Sequence, residues 1–224
     1  DRLLLMAKGK TAFHGNPASA VEFFTRSDIN FINKDLAETE IKNPQNHQIK
    51  AVKDAVGNQN IYLIQGPPGT GKTSLAKEGL SKCLTDDKGI PRPFAFLPIG
   101  GSVNSSTLVG HNFTYVGSTW GRIVDVLITA KCMNPIIYFD ELDKISKTES
   151  GYEISSVLTH ITDPAQNEHF VDRYFSEVKI DLSKCIIVFS YNDSGKIDRI
   201  LLDRIQEINL QAILLQEKIE ISKK

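Results

Sequence analysis

The first residues whose types and spacing could do chemistry form a glycine-rich segment that ends in a lysine and a threonine. This segment has the pattern G-x-x-x-x-G-K-T and consists of Gly66, Pro67, Pro68, Gly69, Thr70, Gly71, Lys72 and Thr73. The glycines allow backbone N–H groups to turn towards phosphate oxygens, the Lys72 ammonium can reach the β- and γ-phosphates, and the Thr73 hydroxyl can bind Mg²⁺. A glycine-rich turn that binds nothing is the alternative, and a complete motif in this context argues against it. The segment predicts binding of ATP with magnesium.

Two adjacent carboxylates form the second candidate site. Asp140 and Glu141 directly follow the apolar residues 136–139, which indicate a buried strand. A strand would deliver Asp140 to the edge of a sheet, where it can hold Mg²⁺ through water, and Glu141 is placed to act as general base on a water molecule. The alternative is a solvated acidic turn, which is less favoured when a phosphate loop precedes the pair. We expect Asp143 to be a surface helix residue rather than a metal ligand.

Short apolar segments alternate with helical periodicities along the chain. Strands are predicted at 61–64, 94–97, 136–139, 186–189 and 207–210, and helices at 49–56, 123–128, 154–161 and 212–221. Buried strands in alternation with helices are typical of a parallel sheet that is covered on both faces. We therefore predict an α/β fold with a parallel sheet of about five strands, preceded by a partly irregular segment over residues 1–45.

The composition argues against several classes of protein, namely those that bind nucleic acid or membranes through overall charge, span a membrane, or depend on disulfides or metal clusters. The net charge of −1 gives no overall attraction to nucleic acid or to a membrane, and no apolar run approaches the ~20 residues that cross a bilayer. Cys83, Cys132 and Cys185 form no C-x-x-C pair, which predicts buried thiols in a reducing compartment. The five histidines show no metal-ligand spacing. These features predict a cytoplasmic protein.

Further segments carry a family resemblance. Together with the two candidate sites, they resemble the AAA+ ATPase module of the Lon protease family, in particular the Lon-like proteins of large DNA viruses. The shared segments lie between residues 61 and 210, at 100–101, 110–111, 114–118, 134–135, 140–144, 162–167, 181–184 and 201–204. The resemblance implies a P-loop NTPase fold with three αβα layers. It places an appendage at residues 1–45, the ATPase core at 46–211 and the start of a truncated helical lid at 212–224.

The resemblance also implies roles in hydrolysis. Asn192 matches the sensor 1 residue, whose amide orients the attacking water, although a turn-forming Asn is the alternative. Arg204 matches the arginine finger that reaches the ATP of a neighbouring subunit, and Arg199 is a second candidate. The alternative for Arg204 is a surface residue paired with Asp203. The family implies a hexameric ring, whereas this chain without a complete lid is expected to be mainly monomeric.

Tyr115 and Val116 match the loop that grips polypeptide in the pore of such rings, and residues 146–151 lie where a second pore loop is expected. A tyrosine in the core is the alternative for Tyr115. The implied function is ATP hydrolysis that drives unfolding and translocation of protein substrates, as the motor of an ATP-dependent protease or chaperone. No serine–lysine dyad domain follows the core, so peptide cleavage is not predicted for these 224 residues.

The segment before the phosphate loop resembles a different class of motor. Residues 1–65 are similar to the lead-in of superfamily 1 helicases, in which the residue that matches Gln48 contacts adenine. An exposed polar residue is the alternative for Gln48. Two alternative functions follow, namely a helicase-like nucleic-acid translocase and an ATP-binding module without efficient turnover. No later helicase motif is visible, so nucleic acid is the less favoured partner, and a membrane partner is not expected.

Overall fold

The computed structural model describes residues 3–7, 10–15, 32–33, 61–67, 71–101 and 104–210. Its strands are β1 (Leu3–Ala7), β2 (Lys10–Gly15), β3 (Ile32–Asn33), β4 (Ile61–Gln65), β5 (Leu84–Thr85), β6 (Phe94–Pro98), β7 (Ile136–Asp140), β8 (Phe170–Val171), β9 (Lys179–Ile180), β10 (Ile186–Tyr191) and β11 (Gln206–Asn209). Its helices are α1 (residues 72–83, with a π-helical middle at Leu75–Leu80), α2 (Ser106–Val109), α3 (Arg122–Ala130), α4 (Glu149–Thr162) and α5 (Arg199–Leu202). Short 3₁₀ helices lie at Leu142–Lys144, Asn167–His169 and Ser194–Lys196. These elements divide into two compact units.

One unit contains a five-stranded sheet in the order β11-β4-β10-β7-β6. All four strand pairs are parallel, and every strand predicted from the sequence is present. The first strand of the sheet, β4, lies between β10 and β11, so the strand order reverses beside it. In open parallel sheets, ligands bind at the carboxyl ends of the strands next to such a reversal. The predicted α/β class and the parallel sheet are confirmed.

The central strands of this sheet bury side chains on both faces. Tyr138 of β7 and Val188 of β10 belong to a buried cluster with Leu75 of α1, so α1 covers this face. On the opposite face, the rings of Phe139 and Phe189 stack with centroids 5.2 Å apart. Burial on both faces explains why these strands read as continuous apolar runs rather than as alternating patterns.

The other unit contains α2, α3, α4 and the antiparallel pair β8–β9. Within this unit, Asp172 is a fully buried carboxylate. The Asp172 carboxylate accepts the backbone N–H groups of Gly121 (2.8 Å) and Tyr174 (2.9 Å). Gly121 directly precedes α3, and its neighbour Trp120 stacks on Phe175. The carboxylate therefore ties the start of α3 to the segment after β8.

Several other predictions can be compared with the described residues. The three cysteines are buried, as predicted. The strands β1 and β2 form an antiparallel pair inside the segment predicted to be partly irregular, where no apolar alternation signalled them. Gln48, residues 68–70 and the predicted helices 49–56 and 212–221 lie outside the described residues, and the domain boundaries stay predictions. Among the described residues, no helix is both long and apolar enough to cross a bilayer.

Candidate functional site

The lysine of the phosphate loop lies at the carboxyl edge of the sheet. Gly71, with a φ of 76°, leads into α1, and Lys72 is the first residue of that helix. The Lys72 ammonium donates hydrogen bonds to the backbone oxygen of Gly66 and, at 2.7 Å, to the side-chain oxygen of Asn192. Burial lowers the pKa of Lys72, and the nearby carboxylates of Asp140 and Asp143 oppose this change. The fold therefore brings together two predicted site residues that lie far apart in sequence.

A chain of hydroxyl groups connects the phosphate loop to the acidic strand. The Thr73 hydroxyl donates to the phenol oxygen of Tyr138 at 3.3 Å, and Tyr138 also hydrogen-bonds Ser190. The Ser190 hydroxyl donates to Oδ1 of Asp140. Parallel pairing of β10 with β7 explains this contact, because Phe189 lies opposite Phe139 and the next residues of the two strands become neighbours. Burial raises the pKa of Tyr138, and the contacts of its phenol with Ser190 and Thr73 partly offset this rise.

Glu141 adopts a backbone conformation that is uncommon for a residue with a side chain. Its φ is 62°, in the left-handed region, and its N–H donates to Ser190 Oγ at 3.3 Å. Its carboxylate forms an ion pair with Lys144 and lies against Gly100, where an added Cβ would come within 2.5 Å of Glu141 Oε2. Such backbone strain costs about 1–3 kcal/mol and is concentrated at functional sites. The outlier supports a functional role for Glu141.

The expectation that Asp143 lies on a helix surface is wrong. Asp143 is buried, in the short 3₁₀ helix that follows Glu141, and its Oδ1 accepts the N–H of Asn192 at 3.3 Å. The tight 3₁₀ turn directs the side chain inward, towards the end of β10, instead of continuing into a solvated α-helix. Asp143 therefore helps to hold the backbone of the residue whose side chain meets Lys72.

Arg204 lies in the turn between α5 and β11, and it is exposed. The Asp198 side chain caps α5 by accepting the N–H of Ile200 at 2.8 Å, which fixes the start of this short helix. The structure holds one copy of the chain, and an arginine finger acts on a neighbouring copy. Its role there stays a prediction, as does the second candidate, Arg199.

The predicted substrate loop lies in the other unit. Tyr115 is 69% exposed, and the neighbouring Phe113 and Val116 are also exposed. Tyr115 is therefore not a core residue, which removes the alternative interpretation of this tyrosine. Of the predicted second loop, residues 149–151 form the first turn of α4, and Gly151 packs so closely on Ser146 that a Cβ would meet its backbone oxygen at 1.7 Å.

Comparison with known protein families gives one match over about two thirds of the chain. The family is described as the ATPase family associated with various cellular activities (AAA), and residues 62–212 match it. The chain belongs to the AAA family of ATPases. The AAA match includes the described residues of the phosphate loop, the acidic pair, Asn192 and Arg204.

Individual relatives of this AAA chain support the resemblance to Lon proteases. It is 44% identical over 174 residues to a Lon protease homolog of Acanthamoeba polyphaga mimivirus, which covers 77% of this chain and 16% of the viral protein. It is 41% identical over 177 residues to the Lon protease of Campylobacter concisus, covering 79% of this chain and 21% of the relative. The chain thus spans about a fifth or less of the length of these relatives. The resemblance to the Lon family, including a viral member, is confirmed.

Solved structures similar to the AAA chain support its fold. The complex of S. cerevisiae Hsp104 with casein in an extended conformation matches with a TM-score of 0.59 and 19% identity, covering 78% of this chain and 34% of that one. A closed state of Hsp104 with ATPγS and casein matches with a TM-score of 0.54 and 22% identity, covering 73% of this chain and 32% of that one. At these identities, the likeness concerns the fold alone.

Sequence reasoning missed three residues of this AAA site, namely Tyr138, Ser190 and Asp143. Tyr138 lies inside the predicted apolar strand 136–139, Ser190 directly follows the predicted strand 186–189, and Asp143 is the residue expected on a helix surface. Their positions could have indicated them. Tyr138 lies two residues before Asp140 and Ser190 two residues before Asn192, the spacing at which side chains along a strand point to the same side. Asp143 lies two residues after Glu141.

Proposed function

We propose that this chain binds ATP with Mg²⁺ at the carboxyl edge of its sheet and hydrolyses it. The observation that carries the proposal is the meeting of Lys72 with Asn192, beside the strand that ends in Asp140 and Glu141. A phosphate-loop lysine, an amide and two carboxylates are the groups that phosphoryl transfer to water requires. Membership of the AAA family supports this assignment.

The oxygen groups of Thr73 and Asp140 suit magnesium. Mg²⁺ prefers hard oxygen ligands and keeps several waters, and a hydroxyl plus a carboxylate is a typical protein share of its coordination. The hydrogen bond from Ser190 uses Oδ1 of Asp140, so Oδ2 is not engaged by this bond. Thr73 and Asp140 would hold the ion. When bound, Mg²⁺ neutralises charge on the β- and γ-phosphate oxygens.

The protein residues would divide the work of hydrolysis among them. Glu141 accepts a proton from the attacking water, whose oxygen forms a bond to the γ-phosphorus while the bond to the β–γ bridging oxygen breaks and ADP leaves. Asn192 orients this water and contacts the γ-phosphate. The Lys72 ammonium has three donors, two of which meet protein acceptors, so the third would donate to a phosphate oxygen.

The energy of hydrolysis would drive unfolding and translocation of protein substrates. The exposed aromatic loop around Tyr115 supports this part of the proposal, because an exposed tyrosine two residues before a glycine can contact an extended polypeptide whatever its sequence. The similarity to Lon proteases points the same way. A hexameric ring, with Arg204 reaching the ATP of the next subunit, belongs to the same proposal.

The test measures phosphate release by the wild type and by Glu141→Gln, with and without an unfolded protein. We expect Glu141→Gln to lower kcat about 100-fold or more while it still binds a fluorescent ADP derivative. Lys72→Ala should weaken binding of that nucleotide instead. The matched control is Glu177→Gln, an exposed carboxylate in the other unit, which should keep the wild-type rate.

Two outcomes would contradict the proposal. Equal rates for the wild type and Glu141→Gln would remove Glu141 as the general base. Stimulation of hydrolysis by single-stranded DNA, with no effect of the unfolded protein, would replace the protein substrate by nucleic acid.

A further inference from the structure

A buried tyrosine lies directly beneath the two residues that would hold magnesium. Tyr138 is 0% exposed, and its phenol oxygen accepts a hydrogen bond from Thr73 at 3.3 Å. It also hydrogen-bonds Ser190, which donates to Asp140. Tyr138 is thus the one phenol that contacts a predicted magnesium ligand directly and reaches the other through a single hydroxyl, within the part of the chain that the structure describes.

The apolar packing around the Tyr138 ring does not explain why this residue carries a hydroxyl group. The Tyr138 ring lies 5.7 Å from the ring of Phe94 and 5.8 Å from that of Phe96, in an apolar cluster under α1. A phenylalanine would fill the same space, and burying a phenol is unfavourable unless it is hydrogen-bonded. The polar group at this position therefore acts through the two hydroxyls that it contacts.

The directions of these hydrogen bonds follow from the donors available. The Ser190 hydroxyl has one proton to donate, and an ionised Asp140 can only accept, so Ser190 donates its hydrogen bond to Asp140. Ser190 Oγ must then accept from both Glu141 N–H and Tyr138. Because the Tyr138 hydroxyl donates its hydrogen bond to Ser190, the Tyr138 oxygen accepts the hydrogen bond from Thr73. The chain runs in one direction, from Thr73 through Tyr138 and Ser190 to Asp140.

We propose that Tyr138 is a positioning residue of the magnesium site. By accepting the hydrogen bond of the Thr73 hydroxyl, its phenol orients that hydroxyl so that a lone pair of the Thr73 oxygen faces the metal. Through Ser190, the phenol also holds Asp140 in place. The inference rests on the proposed function, because it requires magnesium to bind with nucleotide at Thr73 and Asp140. Partners that orient metal ligands typically change metal affinity when they are removed.

The test measures how much Mg²⁺ strengthens binding of a fluorescent ADP derivative, as the ratio of the Kd in EDTA to the Kd in saturating Mg²⁺. We expect Tyr138→Phe to lower this ratio about 3- to 10-fold, with the Kd in EDTA unchanged within about 2-fold. Tyr191→Phe is the matched control, because Tyr191 is another fully buried tyrosine, whose hydroxyl bonds Glu207 instead. The control should keep the wild-type ratio.

A second variant covers the case that Tyr138→Phe does not fold, which a thermal melt would reveal. Ser190→Ala interrupts the same chain next to Asp140 and should also lower the magnesium ratio. A wild-type ratio in either folded variant, or an equal loss in Tyr191→Phe, would overturn the role of Tyr138. If the wild type itself binds nucleotide no better with Mg²⁺, the proposed function fails first, and the two failures are distinguished.

Discussion

The Lys72 ammonium donates a hydrogen bond of 2.7 Å to the side-chain oxygen of Asn192, although 120 residues separate them. Lys72 begins the helix after β4, and Asn192 directly follows β10, the strand that pairs with β4. A γ-phosphate held by the lysine would therefore lie beside the amide. This relationship connects the group that would bind phosphate to the group that would orient the attacking water.

Asn192→Ala should lower kcat for ATP hydrolysis about 10- to 100-fold and change KM less than about 3-fold. The reason is that the amide would contact the transition state more strongly than the bound substrate. Steady-state phosphate release measures both constants. The control is Asp193→Asn, at an exposed neighbour that caps the next 3₁₀ helix. The asparagine side chain keeps an acceptor oxygen for this cap. An unchanged kcat in Asn192→Ala would contradict the assignment.

Gly100→Ala should lower the rate of hydrolysis about 10-fold while nucleotide binding is retained. The added Cβ would lie 2.5 Å from Oε2 and 2.9 Å from Cβ of Glu141, so Glu141, the proposed general base, must move. A displacement of about 1 Å can cost on the order of 100-fold in rate. Single-turnover hydrolysis and binding of fluorescent ADP separate the two effects.

The matched control for this substitution is Gly195→Ala. There the nearest atom to an added Cβ is the flexible Asp193 carboxylate at 3.3 Å. If both variants lose activity equally, the loss at Gly100 does not come from displacement of Glu141.

Tyr115→Ala should raise the Kd for an unfolded protein about 5- to 10-fold, because an exposed aromatic side chain provides a large contact area. Fluorescence anisotropy of a labelled unfolded protein measures the affinity. Tyr152→Ala is the control, since Tyr152 is similarly exposed, at 63%, but lies on α4. Equal losses in the two variants would indicate a nonspecific surface effect.

Arg204→Ala should abolish the dependence of specific ATPase activity on protein concentration. If Arg204 completes the site of a neighbouring copy, the wild-type rate rises as copies associate, by up to about 10³-fold for a well-positioned arginine. Activity measured over a wide range of concentrations tests this. Arg199→Ala distinguishes the two candidates, and a larger loss in that variant would assign the finger to Arg199.

The unfolding free energy should respond to pH through Asp172. Burial raises the pKa of Asp172 to about 6, although backbone N–H groups of Gly121 and Tyr174 favour the charged form. Because the pKa is higher in the folded state than in the unfolded state, protonation of Asp172 stabilises the fold. This contribution to the unfolding free energy is present at low pH and is lost as the pH rises through 6. Lowering the pH from 7.5 to 5 should therefore stabilise the wild type by about 1 kcal/mol relative to Asp172→Asn. Urea unfolding at both pH values measures this difference, and an equal response in both proteins would contradict it.

Much of the fold and of the site follows from local patterns in the chain. The phosphate-loop motif, the acidic pair at the end of an apolar run and the strands themselves could be predicted, because backbone propensity and side-chain period act over a few residues. Asn192 and Arg204 could be placed only through a family resemblance, since an asparagine in a turn or an arginine after a helix has no chemical signature of its own.

Contacts between distant segments could not be predicted, because they depend on the order of strands in the sheet. Local sequence patterns do not predict that β10 lies between β4 and β7. This arrangement brings Lys72 to Asn192 and Ser190 to Asp140. These patterns also do not predict that Asp143 is buried, because its side-chain direction depends on a single 3₁₀ turn.

Residues 66–73 by themselves therefore predict a phosphate-binding loop, because backbone N–H groups and a lysine at this spacing can contact phosphate oxygens. Only tertiary structure decided which groups lie beside this loop and which hydroxyls contact Thr73 and Asp140, the proposed magnesium ligands. The physical reason is that hydrogen bonds act over about 3 Å, so residues far apart in sequence become partners only when the sheet sets their strands side by side.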